Sequence, residues 1–189
     1  MADPENIALF DMDGTLCDYN EGLYSELEKI RSPTWEPIYR SFHGGEDIPQ
    51  YMLTRKDLIT SHETWWANLP RFQLGWDVLD IAKELGYRPM ILTQAPKNNP
   101  SALAGKLRWL RSNLEDIDFT MTLDKGLVYG RVLVDDYPEY IKRWLTWRKN
   151  GLVIMPANDR NLSFSHNQVV RYDGSNLEEV RDRMAIAKH

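Results

Sequence analysis

Hydrophobic and polar residues follow two patterns that alternate along the chain: continuous apolar runs and apolar residues at helical spacing. Short continuous apolar runs, of which IALF at 7–10 is the first, are typical of strands buried on both faces of a parallel sheet. The predicted strands cover 7–10, 88–93, 118–123, 131–136, 152–156 and 168–172. Between them, apolar residues recur at the three- and four-residue spacing of amphipathic helices. The predicted helices cover 19–31, 76–86, 100–114, 138–151 and 175–187.

Residues typical of helix ends support these boundaries. Asp18 is a candidate N-cap, Gly86 is a candidate left-handed C-cap, and Pro100 suits a first helical turn. Ser175 and Glu178 have the spacing of a capping box. Strands that alternate with helices of about 10 to 15 residues predict an α/β fold with a Rossmann-like, doubly wound parallel sheet.

Residues 32–75 interrupt this alternation. The segment is rich in proline, glycine and aromatic residues, and two short helices, around 36–42 and 54–67, are predicted near or within it. We interpret it as part of a small, mainly helical cap inserted into the α/β core. The expected domains are a core formed by 1–18 and 75–189 and a cap formed by 19–74.

Composition and charge narrow the classes of function. The chain has 189 residues and a formal net charge of −5, which argues against strong binding of nucleic acid by the surface as a whole. One cysteine, Cys17, excludes an internal disulfide and a zinc site built from several cysteines. The first residues do not resemble a signal peptide, and no apolar run reaches the roughly 20 residues that span a bilayer. We therefore expect a cytoplasmic protein that does not bind membranes.

Polar side chains follow three of the predicted strands at the point where each strand ends. Asp11 follows the first strand, Thr93 ends the second, and Asp135 and Asp136 end another. Parallel doubly wound sheets bind ligands beyond the carboxyl ends of their strands. We expect these side chains to meet at one edge of the sheet, together with Asp13.

Four carboxylates at one edge would repel and raise one another's pKa values unless a cation neutralised them. The ligands on offer are all oxygens, without histidine or cysteine, which favours Mg²⁺ over zinc. Mg²⁺ in proteins is commonly bound by one or two carboxylates and a substrate phosphate, so a phosphate is the expected partner. Residues that could contact its oxygens are the backbone N–H groups of Gly14 and Thr15, the Thr93 hydroxyl, and Lys106 and Lys125.

These residues stand in motifs that resemble those of the haloacid dehalogenase superfamily. DMDGT at 11–15 is similar to its first motif, ILT at 91–93 to its second, Lys125 to its third, and VLVDD at 132–136 to its fourth. The motifs occur in the family's order and cover most of the chain outside the insertion. The resemblance implies the α/β fold predicted above and a phosphotransferase chemistry.

Longer segments resemble the 5′(3′)-deoxyribonucleotidases within that superfamily. The similar segments are TWWANLPRFQLGWDVL, ILTQAP, GKLRWL, TLDKGLVYGRVLVDD and GLVIMPANDRN. Two positions depart from that family's pattern, since Gln94 stands where serine is usual and Tyr137 where arginine is frequent. Gln94 can still donate a hydrogen bond to phosphate, whereas Tyr137 and the divergent insertion affect the expected substrate preference.

The resemblance implies a role for each candidate residue. Asp11 would be the nucleophile that forms an aspartyl-phosphate, and Asp13 would be the general acid and base. Mg²⁺ would be bound by Asp11, by the backbone carbonyl of Asp13 and by Asp135, with Asp136 binding it directly or holding a neighbouring water or lysine. Phosphate would be bound by Thr93, Gln94, Lys106, Lys125, Gly14 and Thr15.

Aromatic residues of the insertion are candidates for binding a nucleobase. Tyr19 lies just past the first motif, where the similar nucleotidases place an aromatic ring against the base, and Trp65 and Trp66 could wall the same pocket. The alternative for all three is packing in the core of the cap. Likewise, the paired acids could be solvated turn residues or helix caps, and Lys106 a solvated helix residue.

Three functions follow from these observations. The first is a Mg²⁺-dependent 5′(3′)-deoxyribonucleotidase that acts on a small phosphomonoester, a (deoxy)nucleoside monophosphate, and that could form a homodimer. The second is a phosphatase of the same superfamily for another small phosphometabolite or for a polynucleotide 3′-phosphate. The third is a non-catalytic domain that binds a nucleotide or a partner, which would predict loss of at least one of Asp11, Asp13, Lys125 or Asp135.

Overall fold

The computed structural model describes residues 6–32, 48–94 and 96–188. Their contacts divide the chain into two compact units. Of the described residues, the first contains 6–17, 71–94 and 116–188, and the second contains 18–32, 48–70 and 96–115. The predicted core and cap differ from these units chiefly in residues 96–115, and as functional domains they stay a prediction.

The first unit contains a six-stranded, all-parallel sheet in the order β3-β2-β1-β4-β5-β6. The strands are β1 Ile7–Phe10, β2 Arg88–Gln94, β3 Phe119–Thr122, β4 Val132–Val134, β5 Leu152–Pro156 and β6 Val169–Tyr172. In the sheet, β2 and β3 lie on one side of β1, whereas β4, β5 and β6 lie on the other side. The predicted doubly wound α/β fold is thus confirmed, and its switch point lies between β1 and β4.

Apolar side chains cover both faces of the central strands, because Ala8, Leu9 and Phe10 are all fully buried. One face packs against a helix over Pro138–Leu145, whose Ile141 and Trp144 share a core cluster with Leu9. Leu145 of the same helix also belongs to that cluster, and its remaining buried members come from neighbouring strands: Leu92, Leu133, Val153 and Met155. Burial of consecutive residues explains why the strands appear in the sequence as continuous apolar runs.

Seven α-helices occur among the described residues. They are α1 Tyr19–Lys29, α2 Gln50–Thr60, α3 Glu63–Ala67, α4 Gln73–Glu84, α5 Pro100–Asn113, α6 Pro138–Leu145 and α7 Leu177–Ala187. The second unit contains α1, α2, α3 and α5, with a small core formed by Leu23, Leu27 and Met52. None of the described helices is long and apolar enough to cross a membrane.

Most helix-end signals act as the sequence predicts. The Asp18 carboxylate accepts from the Glu21 N–H at 2.9 Å, Pro100 begins α5, and Gly86 follows α4 with a φ of 74°. The single helix predicted over 54–67 is instead α2 and α3, which are separated at Ser61 and His62. The helix predicted around 36–42 lies outside the described residues.

Two predicted features differ in the structure. Ser175 does not form a capping box with Glu178, because its hydroxyl donates to the Asp173 carboxylate at 2.6 Å and Asn176 precedes α7. The helix predicted over 138–151 ends at Leu145. The chain then turns back so that Gly151 lies against the Trp144 ring, where a Cβ atom would come within 2.6 Å of a ring carbon. This turn allows β5 to begin at Leu152.

The N-terminal end of α4 packs against the chain that follows β1. The Leu16 carbonyl accepts from the Phe72 N–H at 3.0 Å and from the Trp76 indole at 2.9 Å. At Gly75 the helix approaches so closely that a Cβ atom would overlap the Thr15 carbonyl. Only glycine allows this approach, which fixes the backbone of residues 15 and 16.

The substitution Gly75→Ala tests this contact. Because backbone atoms would have to move to admit the methyl group, we expect the free energy of unfolding to fall by about 2–4 kcal/mol. Urea denaturation followed by circular dichroism measures the change. The control is Asp80→Ala at an exposed position of the same helix, for which we expect a change within about 0.5 kcal/mol. Equal stability of the two variants would contradict the close packing.

Candidate active site

The chain leaves β1 through a tight turn at residues 11–17. The Met12 carbonyl accepts from the N–H groups of Leu16 and Cys17, both at 2.8 Å, and from that of Thr15 at 3.3 Å. Gly14 has a φ of 79°, and a Cβ atom there would lie 2.7 Å from an Asp136 carboxylate oxygen. The glycine of the DMDGT motif is therefore needed for both its backbone conformation and its lack of a side chain.

Asp11 and Asp135 occupy equivalent places at the ends of neighbouring strands. Phe10 is in register with Val134, so the next residue of each chain lies at the same edge of the sheet. The Asp11 N–H donates to the Val134 carbonyl at 2.8 Å, which continues the ladder by one bond. Both side chains are buried, and Asp135 is fully inaccessible.

Lys125 joins these two acids. Its Nζ lies 2.7 Å from Asp11 Oδ1 and 2.7 Å from Asp135 Oδ2, and its side chain is only 2% exposed. The lysine begins a 3₁₀ turn, Lys125–Leu127, which follows β3. The Asp124 carboxylate caps this turn by accepting from the Gly126 N–H at 2.9 Å. We call Asp11, Lys125 and Asp135 the ion cluster.

Asp136 adds a third buried carboxylate next to the ion cluster. Its Oδ2 accepts from Asn158 Nδ2 at 2.8 Å, and its backbone carbonyl accepts from Asn161 Nδ2 at 3.0 Å. Asn161 is fully buried and also donates to the Pro156 carbonyl at 2.8 Å. These two asparagines belong to the segment GLVIMPANDRN, but no sequence motif predicts a role for them.

Burial dominates the electrostatics of these acids. It raises the pKa of Asp11 to about 7, and the ammonium of Lys125 offsets only part of this rise. Burial, followed by the charges of Asp135 and Asp11, raises the pKa of Asp136 well above its ordinary value. Burial disfavours the charge of Lys125, but the two adjacent carboxylates outweigh it and raise the lysine's pKa. One ammonium therefore does not balance three acids.

A divalent cation fits this arrangement. Asp11, Asp135 and Asp136 each offer a carboxylate oxygen, and these three atoms lie within 4.8 Å of one another. The donors are all oxygens, and a cation would compensate charges whose burial and mutual repulsion raise the pKa values of Asp11 and Asp136. The three acids could therefore hold a divalent metal ion.

The Asp13 carboxylate does not belong to this group of three oxygens. Its side chain is half-buried, and its Oδ1 accepts from the Cys17 thiol at 3.6 Å. The predicted roles give metal binding and proton transfer to different carboxylates, and Asp13 is indeed apart from the other three. The roles themselves stay predictions.

Thr93 and Gln94 lie at the carboxyl end of β2, beside β1. Thr93 is fully buried, and Gln94 Oε1 accepts a hydrogen bond from the Tyr140 hydroxyl. The N–H of Gly14 donates to the Cys17 carbonyl at 2.8 Å, and that of Thr15 donates to Met12. A phosphate bound by these two N–H groups would have to replace bonds of the turn, and their phosphate role stays a prediction.

The remaining candidate residues lie in the second unit. Lys106 is buried in α5, and its Nζ lies 5.5 Å from the centroid of the Trp66 ring. Trp65 lies 4.9 Å from Trp66 and 5.3 Å from Tyr19, measured between ring centroids, so the three aromatic rings form one cluster. Trp66 also donates to the Thr60 carbonyl at 2.7 Å. The rings thus have packing roles, and their contact with a substrate stays a prediction.

Solved structures of known proteins share this fold. The chain is similar to a protein of Burkholderia xenovorans LB400 described as a haloacid dehalogenase-like hydrolase, with a TM-score of 0.55 and 13% identity, over 97% of this chain and 99% of that one. A protein of Thermotoga maritima described as a beta-phosphoglucomutase has a TM-score of 0.47 and 14% identity, over 96% and 97% of the two chains, and supports no conclusion here.

No protein-family model matches the sequence, and no curated protein sequence matches it significantly. The likeness to the Burkholderia protein therefore shows the fold alone: this chain shares its α/β architecture with that protein. The comparisons give no support to the narrower resemblance to deoxyribonucleotidases, which stays a prediction.

The substitution Asp136→Asn tests the excess of buried charge. An acid whose pKa is higher in the folded chain destabilises it at every pH where the unfolded chain has lost the proton, above about pH 4. This penalty grows with pH until the folded group also ionises. Without divalent cations, we expect the variant to gain about 1–3 kcal/mol in free energy of unfolding at about pH 8 and less at about pH 5.

Chemical denaturation in a chelating buffer at the two pH values measures this gain. The control is Asp159→Asn, an exposed acid near Asn158, for which stability should change little at either pH. Added Mg²⁺ should raise the unfolding midpoint of the unaltered protein more than that of Asp136→Asn. A variant that is less stable at both pH values would contradict the charge excess.

Proposed function

We propose that this protein is a phosphatase that hydrolyses small phosphomonoesters through an aspartyl-phosphate on Asp11. The observation that supports it most is the ion cluster next to Asp136 at the switch point of the sheet. Three carboxylates and a fixed ammonium lie together at the sheet edge where doubly wound folds bind ligands, and this supports Asp11 as the nucleophile. A structural ion pair would not need the third buried acid.

In the first step, a carboxylate oxygen of Asp11 forms a bond to phosphorus while the bond from phosphorus to the alcohol oxygen breaks. Asp13 donates a proton to that oxygen, so the alcohol leaves uncharged. In the second step, Asp13 takes a proton from a water molecule whose oxygen attacks phosphorus. The bond between Asp11 and phosphorus breaks, and inorganic phosphate and the free Asp11 carboxylate are restored.

Lys125 has two tasks in this reaction. Its contact at 2.7 Å holds Asp11 in one orientation, and its charge offsets the negative charge of the phosphoryl oxygens. Asp11, Asp135, Asp136 and the backbone carbonyl of Asp13 would hold Mg²⁺, which supplies positive charge against the phosphoryl group. With the ion bound, Asp11 stays ionised in spite of its burial.

For the substrate we propose a (deoxy)nucleoside monophosphate. Support comes from the segments that resemble deoxyribonucleotidases and from the cluster of Tyr19, Trp65 and Trp66, whose rings are suited to stacking on a base. Lys106, beside this cluster, would bind the phosphate. The second candidate is another small phosphometabolite, which the packing role of Trp66 favours. Cytoplasmic placement and a homodimer stay predictions.

The substitution Asp11→Asn tests the reaction. An amide is a poor nucleophile, so we expect release of inorganic phosphate to fall at least about 10³-fold. The variant should still fold, as judged by circular dichroism, because Asp135 continues to compensate the Lys125 ammonium. The measurement covers nucleoside monophosphates and sugar phosphates, with Mg²⁺ and with a chelator. The control is Asp116→Asn, an exposed acid whose loss should leave the rate unchanged.

Each outcome of this panel distinguishes two interpretations. Undiminished activity of Asp11→Asn would contradict the assignment of Asp11 as the nucleophile. Activity in the presence of the chelator would contradict the requirement for Mg²⁺. If the protein hydrolysed sugar phosphates but no nucleotide, the proposed phosphatase activity would stand and the proposed nucleotide substrate would be wrong. A well-folded protein without activity on any of them would overturn the proposed reaction.

A further inference from the structure

Tyr140 is a residue of α6 that contacts the site in two places. Its hydroxyl donates to Gln94 Oε1 at the end of β2. Its ring faces the ammonium of Lys125, whose Nζ lies 4.6 Å from the ring centroid. The ammonium therefore meets the Asp11 and Asp135 carboxylates and the face of an aromatic ring. No motif of the sequence analysis includes Tyr140.

The Tyr140 hydroxyl is well suited to be a permanent donor. Burial raises its pKa to about 12, and the nearby charge of Lys125 offsets only part of this rise. The hydroxyl therefore stays protonated around neutral pH. Its bond to Gln94 does not depend on the protonation of the neighbouring acids.

The direction of this bond fixes the orientation of the Gln94 amide. A carboxamide has an acceptor oxygen on one branch and two N–H donors on the other. When Oε1 accepts from Tyr140, Nε2 lies on the opposite branch, away from the tyrosine. Without the tyrosine hydroxyl, the amide could turn by half a rotation and present its oxygen instead. An oxygen in that place would repel a phosphate, whereas an N–H group would bind it.

We propose that Tyr140 is a positioning residue that orients Gln94 so that Nε2 donates to a phosphoryl oxygen of the substrate. The inference rests on the proposed phosphatase function and assigns Gln94 and Tyr140 to its phosphate site as a pair. The contacts given above connect Asp11 to Lys125, Lys125 to Tyr140, and Tyr140 to Gln94. Gln94 would contact phosphate in the substrate and in the transition state alike, so its loss should affect KM rather than kcat.

A double-mutant cycle with Tyr140→Phe and Gln94→Met tests the pair. Tyr140→Phe keeps the ring against Lys125 and removes only the hydroxyl, while Gln94→Met keeps the size of the side chain and removes the amide. We expect each variant to raise KM about 5- to 20-fold with kcat within about 2-fold. The double variant should match Gln94→Met alone, because the hydroxyl acts only through the amide.

Binding of inorganic phosphate, measured by calorimetry in the presence of Mg²⁺, gives a second readout without turnover. It should weaken in the same pattern across the cycle. The control is Tyr129→Phe, which removes the hydroxyl of a half-exposed tyrosine beside Arg148 and should change neither readout. Multiplicative effects in the double variant, a loss of kcat without change in KM, or an unchanged Tyr140→Phe would each overturn the proposal.

Gln94→Glu provides a test that does not require substitution of Tyr140. A carboxylate keeps the acceptor for the tyrosine but replaces the N–H donors with a negative oxygen, so phosphate should bind more weakly than to Gln94→Met. Equal or tighter binding would overturn the proposal. If the unaltered protein released no phosphate from any substrate, the proposed function would fail, while the calorimetric cycle would still decide the roles of Gln94 and Tyr140.

Discussion

The ammonium of Lys125, buried between Asp11 and Asp135, is the interaction on which the geometry of the site depends. Removal of one partner from a buried ion pair costs about 3–5 kcal/mol, because the other charge is left without compensation. Each of the three residues comes from a different part of the sheet: the end of β1, the 3₁₀ turn after β3, and the end of β4. The two contacts of 2.7 Å from Lys125 Nζ to Asp11 and Asp135 therefore hold three chain segments together.

Asp136 adds a charge that the stability of the ion cluster does not require. The single ammonium of Lys125 already contacts two acids, and the third buried acid raises the cost of folding. Other residues hold this unfavourable charge in place. Asn158 donates to it, Asn161 holds its backbone, and Gly14 leaves room for it. Such a stored charge excess is expected where a cation and a phosphate are to be bound.

The two units hold different chemistry. The first contains the acids, Lys125 and the Gln94–Tyr140 pair, which together suffice for the proposed reaction at phosphorus. The second has its own core and contains the aromatic cluster of Tyr19, Trp65 and Trp66 with Lys106. The proposed nucleophile and metal ligands therefore belong to the first unit, while the proposal for a nucleotide depends on the aromatic residues of the second.

The sequence by itself determined the α/β architecture, since buried parallel strands such as IALF require continuous apolar runs and the amphipathic helices between them have their own repeat. It also placed Asp11 and Asp135 at one sheet edge, because both directly follow such runs. Two features depended on the tertiary structure. The chain turns after Leu145 so that Gly151 lies against Trp144, and Tyr140 contacts Gln94, which lies 46 residues away in sequence. The Ser175 bond is local, since its acceptor Asp173 is two residues away, but the sequence pattern offered Glu178 as well. The end of α6 and the Tyr140 contact have no local signal, because they depend on which distant residues pack together in the folded chain.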